Sequence, residues 1–172
     1  MIDAFAPAPI IVTARFGPAD FARLDALRRR HFPPERNLVS AHLTLFHHLP
    51  PSLAGELKRR LAEACRAPPP AARISGIMNL GRGVALRVES AGLAAIRDVL
   101  AEMFNGLLVP QDAGGWRPHV TIQNKVAPDE ARALLRQMEA APPTGPLAIA
   151  GLDAWWYRGG PWESLSSHSF RG

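Results

Sequence analysis

A histidine followed two residues later by a threonine, with apolar residues between and after them, occurs twice in this chain: His42-Leu43-Thr44-Leu45 and His119-Val120-Thr121-Ile122. The chain has six His and four Thr, so half of its threonines stand in this position. In an extended strand, residues i and i+2 share a face. Each segment therefore presents an imidazole beside a hydroxyl on one face and two aliphatic side chains toward a core on the other. An unperturbed imidazole titrates near pH 6.5, so at neutral pH one ring can accept a proton while another donates one. Two such rings on opposite sides of a phosphorus atom supply the base and the acid of an in-line displacement. The two hydroxyls would be fixed donors to the phosphoryl oxygens. No metal or other cofactor is required, and no cluster of Asp and Glu ligands accompanies the motifs.

The segments around these motifs predict an order of elements that is written twice. Ile10–Phe16 reads as a strand, and Gly17-Pro18 opens a helix to about Arg30 with Phe21, Leu24 and Leu27 as its apolar stripe. A loop with Pro33-Pro34 leads to the first motif strand. A helix then starts at Pro50-Pro51-Ser52, buries Leu53, Leu57, Leu61 and Ala64 or Cys65, and ends before Pro68-Pro69-Pro70. Ala72–Leu80 and Val84–Glu89 read as a hairpin around Gly81-Arg82-Gly83. The second of these strands opens the repeat. A helix from about Ala91 to Asn105 places Leu93, Ile96, Val99 or Leu100, and Met103 inward. The second motif strand follows Pro110 and Gly114-Gly115. A helix from Pro128 buries Leu134, Leu135 and Met138; strands Leu147–Tyr157 and Trp162–Ser167 flank Gly159-Gly160.

The offsets agree: His119 follows His42 by 77 residues, Pro128 follows Pro51 by 77 and Gly151 follows Gly76 by 75. A period this long is not a solenoid repeat. It predicts a single bilobal α+β domain over 1–172, with repeat halves at about 9–82 and 84–168. Two antiparallel sheets would line a central cleft, with helices outside and a pseudo-two-fold axis bringing the motifs together. Clefts between lobes are common ligand sites.

Composition agrees with a globular chain: 172 residues, 47% hydrophobic and 20% charged. Met1–Pro7 lacks the basic-then-apolar pattern of a signal peptide, and no apolar run is long enough to span a bilayer, which together predict a cytoplasmic protein without a membrane partner. Cys65 is the lone cysteine, so an internal disulfide and a multi-cysteine metal site are both excluded. The net charge of +5 favours anionic partners, although the runs Arg28-Arg29-Arg30 and Lys58-Arg59-Arg60 read as solvated helix faces.

Paired His-apolar-Thr-apolar motifs half a chain apart in a small duplicated α/β chain resemble the two-histidine (2H) phosphoesterase superfamily, closest to its 2′-5′ RNA ligase and cyclic phosphodiesterase branch. The resemblance rests on His42, Thr44, His119 and Thr121 and on the repeated order of elements. It implies a bilobal fold that opens 2′,3′-cyclic phosphates of RNA ends or nucleotides to 2′-phosphates, without metal, in some members with reversible 2′-5′ joining of RNA. It implies His42 as acid toward the leaving 3′-oxygen and His119 as base toward water. Other relatives act on ADP-ribose-type cyclic phosphates. Phe46-His47-His48 after the first motif departs from the aromatic-apolar-glycine sequence of ligase-like members, as does the lack of early aromatics in Ile10–Phe16.

Around the motifs, Arg117 is a candidate phosphate ligand or a surface residue. Gln123, on the face of His119, and Lys125 are candidates for the cleft mouth; Tyr157 and Trp162 are candidates for stacking on a base or for the core. His47 and His48 read as loop or surface residues, and His48 would share the face of His42 only in a regular strand. Two rivals stay open: a binding module for a nucleotide or RNA 3′ end, and a metal hydrolase built on His42, His48 and His119. The expected partner is an RNA 3′ end or a small cyclic-phosphate nucleotide, bound by a monomer.

Overall fold

In the computed structural model, which describes residues 7–171, the β-branched run after Pro9 forms β1 (Ile10–Phe16). Met1–Ala6, which carried the expectation of no leader, lies outside the described residues. Helix α1 (Pro18–His31) begins with proline in its first turn and Asp20 at its positive end. Strand β2 (Leu43–Leu49) carries the first motif. A 3₁₀ turn, Pro51–Leu53, leads into α2 (Ala54–Ala64). The hairpin is β3 (Arg73–Asn79) and β4 (Val84–Glu89). Gly83 is required in its turn, because a Cβ there would collide with the Gln123 carbonyl. Helix α3 (Ala91–Met103) is capped by the Ser90 hydroxyl, which accepts from the Leu93 N–H at 3.2 Å. The short α4 (Pro110–Ala113) precedes β5 (His119–Gln123), which carries the second motif. The chain finishes with α5 (Pro128–Ala140), β6 (Gly145–Pro146), β7 (Ile149–Trp156) and β8 (Glu163–Ser169).

The eight strands of the described residues join in one antiparallel sheet of order β6-β3-β4-β5-β2-β1-β7-β8. The order is symmetric about β5 and β2, the motif strands, which meet through the single pair Leu43↔Val120. The two sheets expected from the sequence are thus joined at their inner edges. Each half of the sheet takes its third strand from the other half of the sequence: β7 lies beside β1, and β3 beside β4. Neither sequence half can complete its own lobe, so the lobes fold together.

The helices cover one face: α1 packs on β5, α2 on β7 and β8, and α5 on β3 and β4. The opposite face is the cleft. Leu43, Leu45, Val120 and Ile122 are fully buried on the helix side, as the alternation in both motifs required. Each contributes about 1.5–3 kcal/mol by burial.

Two sequence expectations change. Arg28 is not on a solvated face: it is 4% exposed, and its guanidinium donates to the Thr121 carbonyl at 3.0 Å and to Asn37 Oδ1 at 2.8 Å. In α3 the inward stripe is Leu93, Arg97 and Leu100, while Val99 and Met103 are exposed. Arg97 takes the inward place because its Nε donates to the Leu45 carbonyl at 2.9 Å and its Nη2 to the Asp112 carbonyl at 2.7 Å. Its guanidinium also lies over the Phe46 ring. A buried arginine therefore backs each motif strand, its charge satisfied by carbonyls rather than by water.

Candidate active site

The histidines at the head of each motif are held in the same way. His42 Nδ1 is 2.7 Å from the Ser40 carbonyl, and His119 Nδ1 is 2.7 Å from the Arg117 carbonyl. A carbonyl only accepts, so each Nδ1 carries a proton and each Nε2 is left for a ligand. The Leu43↔Val120 pair sets Thr44 across from His119 and His42 across from Thr121. The backbones beneath the hydroxyls are fixed as well: the Thr44 carbonyl accepts from Trp116 Nε1 at 3.0 Å and the Thr121 carbonyl from Arg28.

His42, Thr44, His119 and Thr121 all line one pocket of about 140 Å³, together with Ile11, His47 and Trp162. That space matches roughly four or five waters, enough for a phosphoryl group and too little for a nucleoside. Trp162 meets the His42 ring edge-on, with centroids 4.6 Å apart. Burial pushes the His42 imidazole down to about 4 against the opposing pull of its Ser40 hydrogen bond; the charges of Arg28, His119 and His47 lower it further. His42 is neutral at pH 7 in the unliganded protein.

His47 is the residue that sequence reasoning placed wrongly on the surface. A bulge in β2 explains it: Val12 pairs with Phe46 and the next residue, Thr13, with Thr44, so Leu45 is an extra residue in the ladder. The alternation flips there. Leu45 and Phe46 are both buried, His47 turns to the face of Thr44, and His48 is exposed. His47 Nδ1 is 3.0 Å from Asp112 Oδ1, and both carboxylate oxygens of Asp112 accept backbone N–H groups from His47 and His48 at 2.9–3.0 Å. Asp112 is 1% exposed. Burial alone would raise its carboxyl, but the His47 ring and these N–H donors outweigh it and hold the group below the ordinary carboxylate range. Asp112 lies outside both motifs, in a four-residue helix, with no sequence signal to mark it.

A second, larger groove of about 550 Å³ opens on the same lobe and shares His42 and Trp162 with the first. Phe16, Phe21, Leu38 and Trp155 supply much of its wall, with Arg15 and Asp153 among the polar members. The outward position of Phe21, expected in the core, reflects its place on this wall.

The remaining candidates are not part of the small pocket. Arg117 holds the His119 ring through its backbone carbonyl, and its side chain is exposed. Gln123 is buried beside the hairpin turn with Oε1 unpaired. Lys125 is exposed in the turn after β5, at φ 63. Tyr157 is exposed beyond β7. Among the described residues no group of three His, Cys, Asp or Glu side chains is placed to hold a metal ion, and no helix is long and apolar enough to cross a membrane.

Comparison with known proteins gives the family and the fold. The family model described as the 2′-5′ RNA ligase superfamily matches residues 16–161. Among solved structures, TT0787 of Thermus thermophilus is 17% identical with a TM-score of 0.65, covering 95% of this chain and 98% of that one. LigT of E. coli, in its complex with NADP+, is 21% identical with a TM-score of 0.61, covering 96% and 99%. LigT in its complex with 3′-AMP gives 18% and 0.56, covering 97% and 100%. A search of curated protein sequences gave no match.

Proposed function

This chain belongs to the 2′-5′ RNA ligase superfamily, and from that membership and the pocket between its motif strands we propose that it is a metal-independent cyclic phosphodiesterase. Its substrate is the 2′,3′-cyclic phosphate of an RNA end or nucleotide, and its product the 2′-phosphate. The observation that carries this reading is the meeting of His42, Thr44, His119 and Thr121 around one small pocket, each ring with Nδ1 tied to a carbonyl.

The phosphoryl group sits between the rings, its free oxygens on the Thr44 and Thr121 hydroxyls. The nucleoside extends into the larger groove, which adjoins His42. The ribose oxygen that leaves phosphorus stays on the nucleoside and so lies on the His42 side. His42 Nε2–H protonates that 3′-oxygen as its bond to phosphorus breaks. Water enters from the His119 side; its oxygen bonds to phosphorus and its proton passes to His119 Nε2. This is the order that the family resemblance implied. The phosphate's negative charge, set among the cationic neighbours that depress His42, supplies the counter-charge for its protonated form. A 5′-hydroxyl in the place of water would give 2′-5′ joining with the same groups. Nucleotide complexes of the structurally similar E. coli LigT support a nucleotide ligand. Both lobes come from one chain, and the enzyme acts as a monomer.

The test is incubation with 2′,3′-cyclic nucleotides and a short RNA bearing a cyclic end, in chelator, with the position of the product phosphate mapped. We expect 2′-phosphates in chelator and their loss in both His42→Ala and His119→Ala. Full activity in both variants would reject the scheme, stoichiometric binding without product would favour the binding module, and loss of activity in chelator would favour a metal hydrolase.

A further inference from the structure

The duplication lets one lobe be compared with the other, and the comparison singles out an arginine. In the second lobe, Arg87 on β4 pairs directly with His119, and Gly76 on β3 pairs with Arg87. In the first lobe, one step beyond the pair Ala14↔Leu43, Arg15 stands beside His42, and Gly151 pairs with Arg15. Each motif histidine thus heads a row of His, Arg and Gly across three strands. The glycines differ in what they allow: a Cβ on Gly151 would collide with Arg15, whereas one on Gly76 would meet Arg87 Nη1 at 3.7 Å, an ordinary contact that places the Arg87 guanidinium over this glycine.

The two arginines differ in what they hold. Arg15 is consumed by its own lobe: Nε faces the Asp153 carboxylate at 3.4 Å, and Nη2 donates to the His168 carbonyl and the Ser169 hydroxyl at 3.1 Å. Arg87 is exposed and, among the described residues, has no acidic or hydrogen-bonding partner. Asp153 has no counterpart beside it, since Met78 and Ala85 occupy the corresponding row with Thr121. The exposed side chain of Arg117, also unpartnered among the described residues, lies at the same end of β5. The cleft is therefore polarised across its pseudo-dyad, with an aromatic groove and a neutralised arginine on the His42 side and free guanidinium groups on the His119 side.

We propose that Arg87 forms a subsite for a second phosphate of the substrate, on the far side of the reacting phosphorus from the nucleoside groove. This rests on the phosphodiesterase reading above and concerns its 2′-5′-linked form, in which the nucleotide joined through its 5′-oxygen takes the place of water on the His119 side and carries the second phosphate. The guanidinium lies over Gly76, two strands from β5, which is roughly 9–10 Å across the sheet. That is too far to share the phosphoryl group held between the rings and suits a phosphate one nucleotide away. An arginine without a local partner loses no ion pair on taking it, and its planar fork matches two phosphate oxygens.

The test is equilibrium binding of a 2′-5′-linked adenosine dinucleotide whose first sugar lacks the 3′-hydroxyl, so that the linkage cannot cyclise. It is measured with and without a 3′-phosphate on the second nucleoside. Wild-type protein should bind the phosphorylated probe on the order of tenfold more tightly, with a salt dependence of log affinity steeper by about 0.7. Arg87→Gln should abolish both differences, and Arg87→Lys should retain the added salt dependence. Equal binding of the two probes by wild type, failure to bind either, or an intact preference in Arg87→Gln overturns the subsite. A preference that depends on Arg87 in a protein that turns over no cyclic phosphate would uphold the subsite and sink the phosphodiesterase reading. Turnover without the preference would do the reverse.

Discussion

Asp112, almost wholly inaccessible in α4, fixes His47 of β2 from both ends, holding its ring Nδ1 at 3.0 Å and its backbone N–H at 2.9 and 3.0 Å. This joins the loop ahead of the second motif to the strand of the first, and it holds the bulge that turns His47 into the pocket. Replacing Asp112 with Asn leaves one acceptor where two are in use. We expect a loss of roughly 2 kcal/mol, read as a fall of about 4–8 °C in Tm. The carboxyl is held below its ordinary range, so its stabilisation is present above the unfolded value and fades as pH falls through the folded one. The gap between wild type and Asp112→Asn should be full at pH 7 and narrow below about pH 4; a gap independent of pH would show that the charge has no part in it.

His42, pushed down to about 4, sets the pH behaviour of the unliganded enzyme. The profile of kcat/KM reports groups of the free enzyme, so its acid limb should fall near pH 4. This limb does not identify which ring is acid: one proton shared between two rings gives the same profile for either assignment. The same depression has a stability consequence. Between about 4 and 6.5 the unfolded chain binds a proton that the folded one refuses, so stability rises with pH across that window. Denaturant unfolding of His42→Gln should show a flatter dependence there, and a rise as steep as in wild type would contradict the burial of the ring.

The roles separate by leaving group. If His42 protonates the departing oxygen, His42→Ala should lose about 10²–10⁴-fold on a cyclic phosphate and far less on a nitrophenyl phosphodiester, whose leaving group needs no proton. His119→Ala should lose activity on both. Equal losses in His42→Ala on the two substrates would reverse the order and place the base at His42.

The hydroxyls are tested by shape. Thr44→Val and Thr121→Val keep the β-branched strand residue and remove the donor. Each should lower kcat by about 10²–10³-fold with little change in KM, and serine at either position should restore most of the rate. A change confined to KM would mean that the hydroxyl only binds substrate.

The motif strands were legible because alternation in a strand is strict: Leu43, Leu45, Val120 and Ile122 are all buried, and the four polar partners all reach the pocket. Helix positions and starts followed from proline and apolar spacing. His47 was not legible, because the bulged Leu45 inverts the alternation after it until a second shift before Leu49 restores it, and bulges leave no mark in an alternating pattern. Arg28 and Arg97 were not legible either: a long cation at an inward helical position reads as surface unless the carbonyls that will receive it are known. Nor did the sequence separate Arg15 from Arg87, since partners such as Asp153 meet them only through the exchange of β3 and β7 between lobes.

Trp162 carries the last prediction, because it stands in both cavities at once. Its ring borders the 140 Å³ pocket and the 550 Å³ groove and touches the His42 ring edge-on. A base in the groove can stack on it, a contact worth about 1–3 kcal/mol by alanine substitution. Trp162→Ala should therefore weaken binding of a nucleoside 2′-phosphate by roughly 5–150-fold, while affinity for inorganic phosphate changes much less. Removing the indole also opens His42 to water, so the acid limb of kcat/KM should move upward from about pH 4 toward the ordinary imidazole value. Phenylalanine at this position should keep the stacking and return the limb most of the way. Should alanine weaken phosphate and nucleotide alike and leave the limb in place, Trp162 would be a strut of the cleft wall, and the nucleoside would have to lie elsewhere.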